Sequence, residues 1–298
     1  MRISIFGRIA LVMFILGIPL FSCTTKVIEP EQTSVTNTEY FVGSRNTSSV
    51  KRYDSTGAYI DDFISSGSGG LNTTQDILFI HDSLLLVTGR GNTAIKKYSS
   101  STGAYLGDFT SGYALDNPTK MLKAGSYIYV SQWGVSQNKI ARFDLDGNFI
   151  GEFTSVGVPN GLGTACDHAG NFYAASYGTG ANGKIMKFDP DGTYNSVFVN
   201  TGNVAGPSNI WFNNSTGDLY VTDWTLGKVQ RFDSTGNFLG TYISGLSNIE
   251  GYAFGEDGSL FLCDWTQNHV NKYDSTGAFI SIFISAGGLN HPNCIAVR

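Results

Sequence analysis

Cysteine and charge are scarce in this sequence. Charged residues make up 14% of the 298 residues, and only 4 cysteines and 4 histidines are present. Apart from Cys23 near the N-terminus, the cysteines are Cys166, Cys263 and Cys294, and an odd number allows at most one disulfide bond. No two of these three have the spacing of metal ligands. The sequence therefore excludes a disulfide-stapled scaffold, and packing is the predicted role of all three thiols.

A surplus of basic residues is also absent. The chain has 19 Lys and Arg against 24 Asp and Glu, and loss of Arg2 and Arg8 with an N-terminal signal leaves 17 basic residues. Nucleic acid needs a basic surface for its phosphates, so it is not an expected partner. The sequence contains no nucleophile elbow, no phosphate loop, no histidine cluster with metal spacing and no long helical pattern.

The N-terminus has the pattern of an export signal. Residues 1–22 contain two arginines and an apolar run, IALVMFILGIPLF, which is short for a membrane-spanning helix of about 20 apolar residues. The run ends in LFSC and resembles the bacterial lipoprotein signal, in which the cysteine, here Cys23, becomes the lipidated first residue. An ordinary cleaved signal is the alternative. Residues 23–39 then form a lipidated cysteine and a flexible tether, and we expect an exported protein anchored in the bacterial cell envelope, on the periplasmic face or the cell surface.

Glycine and aromatic residues are abundant, and they follow a repeat. YDSTGAYI at 53–60 returns as YDSTGAFI at 273–280. An aromatic residue before a polar turn with glycine recurs at Tyr53, Tyr98, Phe143, Phe188, Phe232 and Tyr273. The intervals are 45, 45, 45, 44 and 41 residues, so six copies of one unit fill residues 40–298.

Each unit predicts four short antiparallel strands. In IEGYAFGEDGSLFLCDWTQNHVNKYDSTGAFISIF, stretches of strand length alternate with polar turns that contain glycine, the residue that adopts a positive φ at low cost. A sheet of four strands is too small to be stable alone, and radial stacking of six sheets buries their faces. The predicted fold is therefore an all-β, six-bladed β-propeller, with a solenoid as the alternative.

The two ends of the repeat region complement each other. The first unit has no innermost strand, whereas HPNCIAVR at the C-terminus matches the inner-strand pattern of GPSNIWFN and NPTKMLKA. We therefore expect the C-terminal strand to join the N-terminal blade, which closes the ring and removes two exposed edges.

The units also resemble the NHL repeat. The segments GPSNIWFNNSTGDLYVTDWTLGKVQRFDSTGNFLGTY and LFLCDWTQNHVNKYDSTGAF match its proline-led inner strand, its glycine, apolar strand and aspartate, its Asn-His pair and its aromatic-Asp-x-x-Gly turn. The resemblance covers about residues 40–298 and implies a six-bladed propeller. It indicates function only weakly, because such rings serve as scaffolds, ligand binders and occasionally enzymes.

One column of the aligned units departs from the structural pattern. In the turn after the second strand it reads Arg45, Arg90, Trp133, Tyr177, Trp224 and Trp265. Because this turn opens on one face of the disc, the six side chains are predicted to form a ring there. Two interpretations stay open: large residues that fill gaps between blades, or a platform on which a sugar or peptide packs while the arginines bind a carboxylate or phosphate.

The sequence leaves two functions open. The first is a lipoprotein whose propeller binds a glycan, peptide or protein without catalysis and without a cofactor. The second is a metal-dependent hydrolase or lactonase similar to gluconolactonase-like propellers, in which Glu250 and Asn209 hold an ion such as calcium. A partly solvated strand end is the simpler interpretation of Glu250, since Lys120 and Cys294 nearby are poor ligands for a hard cation.

The loops before the inner strands contain asparagines that would contribute to the metal site of this second function. They are Asn72, Asn117, Asn160, Asn203, Asn248 and Asn290. Turn formation explains them without a ligand, and a polar rim at the channel mouth that holds water or a cation is the functional alternative.

Overall fold

The computed structural model describes residues 38–178 and 182–298 as six antiparallel sheets of four strands each. The predicted signal at residues 1–22, Cys23 and most of the tether lie outside the described residues. The six-bladed propeller predicted from the repeat is confirmed. Among the described residues, no helix has the length and apolar character needed to cross a membrane.

The strands of each blade are ordered from the channel outward. Blade 1 is β24 (Pro292–Val297), β1 (Tyr40–Ser44), β2 (Ser49–Tyr53) and β3 (Tyr59–Ile64). Blade 2 is β4 (Thr74–Ile80), β5 (Leu84–Gly89), β6 (Lys96–Ser99) and β7 (Tyr105–Asp108), preceded by a 3-10 turn at Ser68–Gly70. Blade 3 is β8 (Pro118–Ala124), β9 (Tyr127–Gln132), β10 (Ala141–Asp144) and β11 (Phe149–Glu152).

The other three blades repeat this order. Blade 4 is β12 (Gly161–Cys166), β13 (Phe172–Ser176), β14 (Lys184–Phe188) and β15 (Tyr194–Val199). Blade 5 is β16 (Pro207–Phe212), β17 (Leu219–Asp223), β18 (Lys228–Phe232) and β19 (Phe238–Ile243). Blade 6 is β20 (Ile249–Phe254), β21 (Leu260–Asp264), β22 (His269–Tyr273) and β23 (Phe279–Ile284).

The C-terminal strand closes the ring, as predicted. β24 pairs antiparallel with β1, with Tyr40 opposite Val297, and Glu39 and Arg298 exchange backbone hydrogen bonds of 2.7 and 3.0 Å. β24 also packs against the inner strands β4 and β20 on either side, so the inner strands surround a central channel without a gap.

The hydrophobic core lies between blades rather than within one sheet. The repeated aromatic residue before each polar turn is buried; Phe143 and Phe188, for example, have no exposed surface. The turn glycine that follows lets the neighbouring blade approach closely. Gly57 has φ 83°, and a Cβ at this position would collide with the carbonyl of Phe283 in blade 6. The glycine therefore serves blade stacking as well as the turn.

Strand direction gives the disc two distinct faces. Inner strands start, and second strands end, at one face, which we call the mouth. The polar turns such as residues 54–57 lie on the opposite face, where the described chain also enters, since Tyr40 pairs with Tyr53 directly before that turn. The fold thus separates the N-terminal end of the propeller from the mouth.

Candidate functional site

Six side chains from six blades line one cavity at the mouth. They are the aligned residues that follow the second strands, Arg45, Arg90, Trp133, Tyr177, Trp224 and Trp265, which we call the mouth ring. The cavity has a volume of about 280 Å³, and every member of the ring is half-buried. The structure therefore brings together all six residues that the column comparison selected.

A repeated backbone hydrogen bond holds the mouth ring in place. In every blade, the N–H of the ring residue donates to the carbonyl of the residue before the inner strand. The distances run from 2.7 Å for Trp265 to Asn248 to 3.2 Å for Arg45 to His291. Each ring residue is thereby fixed at the end of a rigid strand.

The aromatic half of the ring is continuous. Trp133 and Tyr177 have ring centroids 5.0 Å apart, Tyr177 and Trp224 are 6.2 Å apart, and Trp224 and Trp265 are 5.8 Å apart. The last two pairs are edge-to-face, an arrangement that aromatic quadrupoles favour. Four partly exposed aromatic rings thus form one wall of the cavity.

The two arginines form the rest of the ring. The guanidinium of Arg90 lies 4.3 Å from the ring centroid of Trp133, and Nε of Arg45 donates to Oε1 of Gln75 at 3.4 Å. Neither arginine forms a salt bridge with a carboxylate in residues 38–178 and 182–298. Burial and the charge of Arg45 lower the pKa of Arg90, but a guanidinium remains protonated at neutral pH.

A histidine that the sequence did not single out supports the ring. The imidazole of His291 stacks on Trp265 with centroids 3.5 Å apart and planes 8° apart, and its Nδ1 lies 2.6 Å from Nδ2 of Asn46. Burial and the nearby Arg45 lower the pKa of His291. The sequence could have indicated this role, because His291 directly precedes the inner strand of its blade, as Asn117 does in blade 3.

The six asparagines do not form the polar rim that was the functional alternative to turn formation. Only Asn117, Asn160 and Asn248 occupy equivalent positions before their inner strands. None of the six lines the cavity. Asn117 and Asn160 have φ of 53° and 51°, so their role here is the turn conformation that asparagine tolerates.

The floor of the cavity comes from the inner strands. Each inner strand contains one extra residue near its start, where the register with the second strand shifts. Such a bulge turns a side chain in a new direction. Here the residues that reach the cavity floor are Gln75, Leu162, Ser208 and Glu250.

Glu250 is buried and paired, rather than at a partly solvated strand end. Its side chain is 9% exposed, and its Oε1 lies 3.2 Å from Nζ of Lys120 and accepts a hydrogen bond from Nε2 of Gln75. Lys120 also donates to the backbone carbonyls of Gln75, at 2.9 Å, and Asn293, at 2.6 Å. The ammonium group therefore compensates the carboxylate.

These contacts do not suit a metal ion. An ammonium group already lies against Glu250, and Asn209 does not line the cavity, since the bulge brings Ser208 there instead. Across the described part of the chain, no group of three or more His, Cys, Asp or Glu side chains is arranged to hold a metal. The residues present therefore do not fit the calcium site considered from the sequence.

A second carboxylate lies deeper in the channel. Oδ1 of Asp76 is 3.9 Å from Nζ of Lys120, and its Oδ2 accepts from the backbone N–H of Met121 at 2.8 Å. Burial raises the pKa of Asp76 to about 6, although Lys120 acts in the opposite direction.

The aspartates that precede two ring residues, Asp223 and Asp264, have a structural role. Asp223 accepts from the backbone N–H groups of Ala205 and Leu226 at 2.6 and 2.9 Å, and Asp264 makes similar contacts with Ser247 and Gln267. Both carboxylates are buried and stabilise the turns that display Trp224 and Trp265.

Comparison with known proteins identifies the fold and no family. No protein-family model matches the chain, and no curated protein matches it. Among solved structures, a chain from the crystal structure of a nidogen/laminin complex matches with a TM-score of 0.70 and 17% sequence identity, over 87% of this chain and 98% of that chain. At that identity the likeness is one of fold alone. The resemblance to the NHL repeat stays a prediction, and what the comparison supports is a six-bladed β-propeller.

Proposed function

We propose that this protein is a cell-envelope lipoprotein with an NHL-type propeller that binds a ligand in the mouth cavity without catalysis. The observation that carries the proposal is the convergence of all six mouth-ring residues on one cavity of about 280 Å³. Three of the four tryptophans in the chain belong to this ring, and all of its aromatic rings are half-buried. Large aromatic residues that retain solvent contact around a concave site are typical of binding surfaces.

The alternative that these residues only fill space between blades is less well supported. Filling residues are expected to be buried, as is Trp211, which stacks on Tyr220 on the opposite face and is 8% exposed. The mouth-ring aromatic residues keep more solvent contact than Trp211, and Arg45 and Arg90 have no carboxylate partner among the described residues. Gap filling explains neither the cavity nor the unpaired charges.

The position of the N-terminus fits the proposed anchor. Glu39 and Tyr40 lie at the end of β1 that is opposite the mouth. A lipid on Cys23 would therefore attach the propeller, through the tether, from the face opposite the mouth.

A propeller in a protein complex, such as the nidogen/laminin structure, supports a binding role in general. A glycan, a peptide or a protein loop each has the ring or apolar surface that an aromatic wall accepts. A metal-dependent hydrolase is not favoured, because Lys120 already neutralises Glu250 and no further metal-binding residues converge there among the described residues.

A glycan and peptide array tests the binding function. The purified protein should capture a small set of ligands, and Trp224→Ala and Trp265→Ala should each weaken capture. Trp211→Phe is the matched control, because it changes the fourth tryptophan at a distance from the mouth. Capture that all three variants retain equally would contradict a site at the mouth.

The anchor is tested separately. In bacteria that export the protein, Cys23→Ser should move it from the membrane fraction to the soluble fraction and abolish incorporation of a labelled fatty acid. Unchanged fractionation and no labelling of the wild type would favour the ordinary cleaved signal.

A further inference from the structure

The charge of the mouth cavity indicates the class of ligand, provided that the proposed binding function holds. Two guanidinium groups and one carboxylate line the cavity, those of Arg45, Arg90 and Glu250. From the sequence alone, Glu250 would offset one arginine and make a cationic ligand as plausible as an anionic one. The contacts below the cavity floor decide between these two.

Glu250 is already paired from below, by an ammonium group that lies 3.2 Å from it and 3.9 Å from Asp76. Its Oε1 faces the ammonium of Lys120 at 3.2 Å and the side-chain amide of Gln75, both of which are buried. A carboxylate that is paired in this way attracts a second cation weakly, and that cation would also meet two guanidinium groups. The aromatic wall with a glutamate beneath it is therefore not a cage for an ammonium ligand.

The arginines, by contrast, have unused donors. Nε of Arg45 is held by Gln75, which leaves its terminal nitrogens without a hydrogen bond to another described residue. The guanidinium of Arg90 is held by its stacking on Trp133 and makes no side-chain hydrogen bond in the described parts of the chain. Both guanidinium groups line the same cavity, where the charge of Arg45 lowers the pKa of Arg90. An anion between them would relieve this repulsion and satisfy both groups.

The geometry points to a small anionic ligand: a carboxylate carried on a six-membered ring. We infer that Arg45 and Arg90 bind the carboxylate while the six-membered ring of the ligand packs against the wall formed by the four aromatic side chains of the mouth ring. The size fits, since an enclosed cavity of roughly 150 Å³ holds a benzene ring and this cavity measures about 280 Å³. Hydroxyl groups on such a ring would meet the polar side chains of Gln75 and Ser208 on the floor.

Three probes of the same shape separate charge from packing. Benzoate, benzamide and benzamidinium are flat and nearly isosteric, with charges of about −1, 0 and +1 at neutral pH. Titration followed by ligand-observed NMR and by tryptophan fluorescence should show benzoate binding about tenfold more tightly than benzamide, with benzamidinium weakest. Added salt should weaken the binding of benzoate and leave the binding of benzamide unchanged. Glucuronate against glucose then distinguishes a sugar acid from an aromatic acid as the source of the carboxylate.

Variants assign the effect to the arginines. Arg45→Met and Arg90→Met should each weaken the binding of benzoate about tenfold and change the affinity for benzamide by less than about twofold. Arg90→Lys should retain part of the affinity for benzoate. Arg142→Met is the matched control, because Arg142 also lies over aromatic rings, those of Tyr127 and Phe153, but does not line the cavity. If Glu250→Gln folds, it should strengthen benzoate binding.

The outcomes also separate this inference from the function on which it rests. Equal affinity for all three probes, or tighter binding of benzamidinium, would contradict the inference that the ligand is anionic. The proposal that the mouth cavity binds a ligand would still stand. Failure of every carboxylate, together with capture of a neutral glycan or peptide that depends on Trp224, would likewise overturn only the anionic ligand. Failure of the probes and of the array together would overturn the proposed function itself.

Discussion

Nζ of Lys120 lies 3.2 Å from Oε1 of Glu250 in the centre of the disc. The same ammonium donates to the carbonyls of Gln75 and Asn293, so one side chain from β8 contacts β4, β20 and β24. Four of the six inner strands therefore meet at a single buried cation, and one of these is the strand that closes the ring.

Loss of this cation should destabilise the fold. Lys120→Met leaves the buried carboxylate of Glu250 without a charged partner, and we expect the free energy of unfolding to fall by about 3–5 kcal/mol. Urea denaturation measures this free energy of unfolding. The double variant Lys120→Met, Glu250→Leu is the control and should recover part of the loss, since Glu250 no longer leaves an unpaired charge. A single variant as stable as the wild type would show that the pair contributes nothing.

The tryptophans should divide into two classes. Trp224→Ala and Trp265→Ala should weaken ligand binding by about 1–3 kcal/mol and cost little stability, because both side chains border the cavity. Trp211→Ala, on the opposite face, should cost about 3–5 kcal/mol of stability through the cavity that it leaves between Tyr220 and Tyr252. Thermal denaturation compares the three. If the two mouth variants lost as much stability as Trp211→Ala, the ring would be packing.

Removal of the closing strand should abolish cooperative folding. Deleting residues 291–298 takes away β24 and exposes the edges of β1 and of the inner strands beside it, so we expect aggregation or a broad melting transition. Calorimetry and light scattering would show this. A truncated chain with an unchanged sharp transition would mean that the join adds no stability.

The side chain of Arg298 provides a control for that deletion. Its guanidinium pairs with Glu39 at 3.1 Å and is partly exposed. Arg298→Met keeps the strand but removes this ion pair, the hydrogen bond to the carbonyl of Ser100 and the contacts with Phe41 and Phe79, so some stability should be lost while the transition stays cooperative.

Stability should depend on the protonation of Asp76. Burial raises the pKa of Asp76 to about 6 in the folded protein, against about 3.9 in an unfolded chain. Between these values the folded state holds a proton that the unfolded state has released, so this group's contribution is complete below about pH 4 and is lost as the pH rises to about 6. Asp76→Asn should remove that slope, and the difference between the two stability curves isolates it. Parallel curves would contradict the raised pKa.

Much of the fold follows from the sequence because the repeat is built from local rules. The six turns with glycine, the alternation within short strands and the recurring buried aromatic each act over a few residues. Their period therefore predicts six blades, and the missing first strand with the surplus last strand predicts the closure. The mouth ring was also predictable, because equivalent positions in a closed repeat lie on a common circle.

The cavity floor was decided only by the tertiary structure. The extra residue in each inner strand is not visible in the alternation of apolar and polar residues, yet it shifts the facing side chain by one position. For this reason Ser208 reaches the cavity where the sequence suggested Asn209.

Contacts between blades across the ring were also decided only by the tertiary structure. Lys120 with Glu250, and His291 with Trp265, join residues far apart in the chain. Such pairs become neighbours only when the ring is closed, because their distance depends on the tilt and stagger of several blades together. Local patterns thus determined the blades and the ring, whereas the charge of the site depended on which side chains closure brought into contact.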